Sequence, residues 1–354
     1  MLSLKVPIVL FLILSFTNAL IKIDINSTND KPQIAIIGAG VIGMSAALAI
    51  IEEKIDADIT IFYDAPFEKT SSWGPAGLFR LEKEENRKWA NGTFVRYADL
   101  VRRYGGITGV QKPSGYVVDE DIESLKLEEK RYADIVYDFR YLTPKEIQQF
   151  GSKKNLSAIQ YTAFTSEGRL YVSWLTKEVK KAGAKFIFRH ISSVNVLIEE
   201  GYDIVINSAG IHAGEVANDG DDVNVYPTRG ILLHVYAPWQ KHFIYEDLDT
   251  YTIPTIDHMV FGTILKPNDT KRYISKEERE DVWIRNIENQ PNLKDAKILF
   301  EWVGWRPSRE SVRLETVPIK NQLIIHNYGH EGNGFTLGWG CALEVVEHVK
   351  TFLK

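Results

Sequence analysis

The chain has 354 residues, 25% of them charged and 44% hydrophobic, with a formal net charge of -5. That length buries an ample core in one large or two interleaved domains, and the mild acidity argues against a nucleic-acid binder, which shows a basic excess or stripe. Cys341 is the single cysteine, which excludes an internal disulfide and a cysteine-based zinc site.

Met1 to Ala19 reads as a secretory signal: Lys5, an apolar core from Val6 to Phe16, then Thr17-Asn18-Ala19. It is short for a membrane span, an uncleaved anchor being the alternative. Sequons begin at Asn26, Asn91, Asn155 and Asn268, so the expectation is a secreted glycoprotein without membrane association once the signal is cleaved. Residues 20–31 read as a short polar tail. The end, Thr351 to Lys354, carries neither an ER-retention nor a peroxisomal signal.

Residues 33–64 carry the strongest local pattern. A β-branched run, Ile34 to Ile37, is followed by Gly38, Gly40 and Gly43 in G-x-G-x-x-G spacing, an apolar helical run from Val41 through Ile42 to Ile51, a strand at Ile59–Phe62, and Asp64. Gly38 permits a tight turn, Gly40 lets a pyrophosphate approach the backbone, and Gly43 lets the helix lie close on the strand. The helix N-terminus offers free amides to phosphate, and the acid accepts from a ribose hydroxyl. A dinucleotide is expected; whether its ribose belongs to NAD or FAD stays open on these residues.

The exit loop Thr70-Ser71-Ser72 and Gly74 to Leu78 supports two readings: hydroxyls and amides along a cofactor edge, or a plain turn. Residues 80–150 look helical and charged, with Trp89, Phe94 and Tyr97 at core spacing, and a strand at 113–118. A helix over Val172–Ala182 precedes a strand at Lys185–Arg189, and Tyr202–Asn207 is a buried-type strand running into Ser208-Ala209-Gly210 and Gly214. Strands follow at Gly230–Val235, Tyr251–Ile253, Met259–Gly262, Ile298–Val303 and Arg313–Val317, interrupted by a helix at Lys276–Asn286. A strand at 323–326, a glycine-rich turn and a helix reaching Phe352 close the chain. No internal repeat is visible.

No metal-ligand pattern and no G-x-S-x-G elbow stands out. In Gly304-Trp305-Arg306-Pro307-Ser308-Arg309 two arginines flank a proline; either grips a carboxylate with paired N–H donors or forms a surface ion pair. Tyr251 is a second donor to such a carboxylate or a core tyrosine. His326 to Thr336 is a glycine-punctuated loop feeding a helix, with amides suited to the polar edge of a flavin.

These residues together resemble the D-amino acid oxidase and D-aspartate oxidase family of flavoenzymes. The resemblance rests on IAIIGAGVIGMSAAL, TSSWGPAGL at 70–78, INSAGIHAG at 206–214, TRG at 228–230, YTIP at 251–254, GWRPSR at 304–309 and LIIHNYGHEGNGFTLGWGCALE at 323–344. It implies an α/β fold: a Rossmann-like FAD-binding domain (32–79, 166–215 and 323–354) interleaved with a β-rich substrate-binding domain (80–165 and 216–322). It further implies noncovalent FAD and oxidation of a D-amino acid, with oxygen as second substrate, to a 2-oxo acid, ammonia and hydrogen peroxide. Carried over by position, Arg306 pairs with the substrate carboxylate, Tyr251 donates to it, and Gly332 offers its backbone. Asp64, Ser71, Ser72, Ala76, Gly77, Leu78, Ile191, Gly210, Arg306, Gly332, Gly334, Phe335 and Thr336 join the early glycines around FAD.

Hydride transfer needs no protein base at the reacting carbon, only a neutral amine and a reacting pair held close; no catalytic residue is therefore assigned. Two departures from the family pattern stand out. Glu331 occupies a position where a small residue is usual. Ile264 lies where a base for a side-chain carboxylate is expected, with Lys266 and Arg309 as substitutes. Acidic D-amino acids are the expected substrates, neutral ones or a flavin protein without oxidase activity the alternatives; oligomeric state is left open.

Overall fold

The central strand Gln33–Ile37 is apolar throughout because both its faces are covered: Ile34, Ala35 and Ile36 are wholly buried. A computed structural model describes residues 31–150, 155–246 and 249–354; the signal-like segment and Asn26 lie outside the described residues. In spatial order the six-stranded sheet runs Arg313–Ile319, Gln322–Tyr328, Ile204–Asn207, Gln33–Ile37, Asp58–Tyr63 and Lys185–Phe188. All pairs are parallel except the terminal hairpin of Arg313–Ile319 with Gln322–Tyr328.

Helix Val41–Glu52 follows the glycine turn, packed against the last helix, Gly334–Phe352. Its close return over the strand depends on Gly43, where a Cβ would stand 2.0 Å from the Gly38 carbonyl oxygen. Helix Arg87–Tyr104 crosses the same last helix. A Cβ on Gly340 would strike the Trp89 carbonyl at 2.0 Å. Phe94 and Tyr97 are buried as their spacing predicts, while Trp89 is half-buried and donates to Glu344.

The second sheet has eight strands in the order Lys297–Ser308, Tyr226–Tyr236, Met259–Pro267, Thr250–Pro254, Phe243–Glu246, Ser114–Asp119, Ser157–Thr162 and Tyr137–Tyr141. One face of the long strands carries Ile231, Leu233, Val235 and Phe261 against helix Lys276–Asn289. The alternate residues face the other way.

The strand at 313–317, expected among the β-rich strands of 225–320, belongs instead to the six-stranded sheet, turned back on Gln322–Tyr328 at Lys320, which adopts φ 51°. Residues 80–150 also contribute the edge strand Tyr137–Tyr141, whose mixed and half-exposed side chains leave no period-2 signal. Residues 32–354 form one compact unit by their contacts.

Candidate functional site

The carboxyl ends of Gln33–Ile37, Asp58–Tyr63 and Ile204–Asn207 open on a cavity of about 640 Å³, the size of a cofactor or drug-like site. It lies where neighbouring strands leave the sheet in opposite directions, the usual crevice for a nucleotide. Gly38, Gly40, Val41 and Ile42 line it at the helix N-terminus, and Asp64 lines it at the end of the second strand. Asp64 accepts through Oδ2 from or pairs with His190 Nδ1 at 2.7 Å; its Oδ1 has no partner among the described residues. Ala76, Gly77, Leu78, Ile191, Gly210, Gly334 and Phe335 also line the cavity.

Ser71 and Ser72 line it too, with their hydroxyls already engaged. Ser72 Oγ accepts from the Val41 amide at 3.1 Å, and Ser71 Oγ donates to the Trp305 carbonyl. The loop therefore fastens the helix start to the second sheet's edge strand.

At the other end the second sheet supplies a glycine floor. Gly230 pairs with Gly304 across Tyr226–Tyr236 and Lys297–Ser308, and Tyr251 pairs with Gly262. A Cβ on Gly230 would lie 2.0 Å from Arg306 Nη1, one on Gly262 2.1 Å from the Tyr251 ring, and one on Gly304 1.9 Å from the Trp302 ring. Missing side chains thus let Arg306, Tyr251 and Trp302 lie flat on the sheet. Tyr245 stacks on Tyr251 with centroids 4.8 Å apart; burial raises both phenols above the ordinary tyrosine range. Arg306 has no ion pair among the described residues. Gly332 borders it, its Cβ position 3.6 Å from Arg306 Nε.

Four of the residues expected at the site lie outside the cavity lining. Lys266 is exposed and pairs with Glu278 at 2.8 Å, away from the cavity, because Arg229 draws Glu278 to that outer face. Arg309 is held by both oxygens of Asp221, at 3.1 and 3.0 Å, and does not line the cavity. Thr336 is buried behind the wall, donating to the Arg80 carbonyl. Gly43 is covered by the turn of Gly38 and acts through packing, as its proposed role requires.

Sequence reading missed several lining residues. Arg80 is buried, and Nε and Nη2 grip Glu128 at 2.7 Å each; Nη1 faces Glu82 Oε1 at 3.8 Å. Its guanidinium lies 5.2 Å from the Tyr245 ring. The signal was present in Phe79-Arg80-Leu81, a buried position carrying a charge, but only a structure shows what compensates it. Arg272 lines the lip and stacks 4.2 Å over Trp305. Adjacent strand residues face opposite ways, so this arginine lies round the sheet edge from Arg306. Glu331, the unexpected acid, is half-buried on the wall at φ 51°, and burial followed by repulsion from Glu82 raises its carboxyl above the usual range.

Away from the cavity, Glu167, Asp257 and His258 bring possible metal-ligand atoms together. Arg169 already donates to Glu167 and, at 2.8 Å, to Asp257, so the acids are neutralised there.

The cavity wall carries buried polar atoms with no partner among the described residues: Asn327 Oδ1 and Nδ2, Ser208 Oγ, Trp305 Nε1 and His330 Nε2. Leaving such groups unsatisfied costs about 1–3 kcal/mol each, so the wall suits a long polar ligand that reaches them. Burial lowers His330 to about 3, keeping it neutral. The glycine turn at a helix N-terminus, the acid at the end of the second strand and the orphaned wall atoms fit FAD.

Residues 33–348 match the family described as FAD dependent oxidoreductase. The chain is 42% identical over 330 residues to D-aspartate oxidase 1 of Caenorhabditis elegans, covering 91% of this chain and 98% of that one. It is 30% identical to D-aspartate oxidase of Homo sapiens over 90% of this chain and 95% of the other. Glycine oxidase from Bacillus cereus superposes with a TM-score of 0.77 at 18% identity, covering 91% of this chain and 95% of that one, a likeness of fold. With the matched region spanning both sheets and the whole cavity, the chain belongs to the FAD-dependent oxidoreductases of this family.

Proposed function

We propose that the protein oxidises acidic D-amino acids, D-aspartate and D-glutamate, to the 2-oxo acid, ammonia and hydrogen peroxide. The carrying observation is Arg306: a guanidinium laid on Gly230, with no acidic partner among the described residues, beside the Tyr251 hydroxyl. A planar fork so placed receives the α-carboxylate through two parallel hydrogen bonds, and Tyr251 adds a third donor. Arg80 Nη1, which Glu128 does not use and which Glu82 Oε1 approaches only to 3.8 Å, presents a second cation for the side-chain carboxylate. The relatives named D-aspartate oxidases support the same reading.

Bound FAD supplies the hydride acceptor, and its reoxidation by oxygen yields peroxide. The protein's share is to hold Cα in place and to exclude water with Tyr245, Tyr251 and Trp302. Peroxide release compared across D-aspartate, D-glutamate and D-alanine tests the reading; a clear preference for D-alanine overturns the acidic assignment.

The chain is further proposed to be exported and glycosylated. Asn268 is exposed in a turn, as a glycan site requires, and Asn91 is exposed on a helix although its Thr93 is buried. A mass shift on treatment of the protein from its native source with an N-glycosidase tests this; an unshifted protein refutes it. No helix among the described residues is long and apolar enough to cross a membrane.

A further inference from the structure

Glu82 stands at the substrate end of the cavity with no assigned task. Its main chain is fixed from both sides of the wall: the Glu82 amide donates to Asn333 Oδ1 at 3.0 Å, and Asn333 Nδ2 donates to the Arg80 carbonyl at 3.1 Å. Its carboxylate points past Gly332. A point one Cβ above Gly332 lies 3.1 Å from Glu82 Oε1 and 3.6 Å from Arg306 Nε. The acid and the carboxylate-binding arginine therefore flank the same small patch of backbone. Arg80 is 3.8 Å from Glu82, but its two shorter bonds go to Glu128, which is wholly buried.

An α-amino acid presents a carboxylate and an ammonium group on adjacent atoms. A cation and an anion flanking one glycine match that pair. We propose that Glu82 receives the substrate's α-ammonium group and takes its proton before oxidation, an inference that rests on the amino-acid oxidase reading above. The N–H bond breaks, its electron pair remains on nitrogen, and the proton passes to Glu82. The resulting neutral amine has the lone pair needed to form the C=N bond of the imino acid. Glu82 can return the proton to water, since its side chain is 37% exposed.

The charged and titratable groups facing Glu82 come from every neighbouring element: Arg80 on its own segment, Arg306 on the edge strand, Tyr245 and Tyr251 on the inner strands, and Glu331 on the glycine loop. Glu331 lies on the same wall, but its burial and the nearby Glu82 favour its protonated form. Glu82 is the acid whose oxygen flanks the Gly332 patch beside Arg306.

The test compares wild-type holoenzyme with Glu82→Gln, which keeps shape and removes charge. The expected result is a loss of roughly a hundredfold or more in kcat/KM for D-aspartate at neutral pH. The acid limb of the kcat/KM profile shifts to higher pH, where it follows the substrate amine's own ionisation. Binding of succinate, a dicarboxylate without an amine, followed by the change in flavin absorbance, stays equal or tightens. Unchanged kinetics and pH profile, or equal losses for D-aspartate and succinate, overturn the proposal. Glu82→Asp supplies a second check: it keeps the wild-type acid limb if a carboxylate takes the proton, and a limb shifted like that of Glu82→Gln overturns the assignment. A wild type that prefers D-alanine defeats only the acidic reading, and the comparison is then made with D-alanine and propionate.

Discussion

The guanidinium of Arg306 rests where a side chain of Gly230 would be: Nη1 lies 2.0 Å from the position of a Cβ on that glycine. The arginine's pose is set by an absence on the neighbouring strand. Gly230→Ala should therefore leave both sheets folded but lift Arg306 from the floor. We expect flavin binding to persist and KM for D-aspartate to rise about tenfold or more, approaching Arg306→Ala, whose lost charge-assisted contact is worth roughly 1.5–3 kcal/mol. Steady-state kinetics with a flavin absorption spectrum check this; normal KM in Gly230→Ala refutes the support role.

Arg80 is read as having a structural partner and a substrate partner. Glu128 is wholly buried and also accepts from Tyr132 at 2.6 Å and Arg131 at 3.0 Å. Arg80→Met alone should destabilise the fold by about 3 kcal/mol, since it leaves a buried carboxylate short of its principal cation. Adding Glu128→Gln should recover most of that loss without recovering the preference for D-aspartate over D-alanine. Denaturant titration and the ratio of kcat/KM values separate the two roles. A double variant that regains the preference removes Arg80 from substrate recognition.

Gly43 has a test independent of substrate. A Cβ there meets the Gly38 carbonyl oxygen at 2.0 Å, a backbone atom with little room to yield. Gly43→Ala should push the helix from the turn and weaken FAD binding, read as loss of flavin on gel filtration. Flavin retained at wild-type occupancy contradicts this packing role.

Two buried imidazoles set an acid-side limit on stability. Burial lowers His330 to about 3, and burial followed by repulsion from His258 lowers His234 to about 3. Unfolded histidine titrates near 6.5. Because the folded values are depressed, the contribution is fully present above about pH 6.5 and is lost as pH falls toward 3, by about 1.4 kcal/mol per pH unit for each group. Denaturant unfolding at pH 7.5 and pH 5 should show the loss, and His330→Asn should flatten it. Identical pH slopes for variant and wild type exclude His330.

The division of information follows from where each constraint resides. Local chemistry wrote the nucleotide end: Gly38, Gly40 and Gly43 answer to one turn and one helix, and Ile34 to Ile37 announce a strand covered on both faces. The φ of 109° at Gly38 and the contact of Gly43 with the Gly38 carbonyl are local demands that spacing alone reveals, while the Ser208 carbonyl that also crowds Gly38 comes from the end of a distant strand. Arg306 and Tyr251 were legible as chemistry, but their poses depend on Gly230 and Gly262 across strand pairs.

Lys266 and Arg309 have the right charge for a carboxylate, and sequence carries no record that Glu278 and Asp221 have already taken them. Arg80 and Glu82 precede the substrate strands by well over a hundred residues and read as an ordinary charged stretch. Only the packing of the two sheets turns Glu82 toward Gly332 and Arg306. By itself the sequence determined the cofactor turn, the apolar strands and the type of group that grips a carboxylate. The tertiary structure decided which charges remain uncommitted in the cavity, because a charge's availability depends on every partner within reach and those partners come from distant parts of the chain.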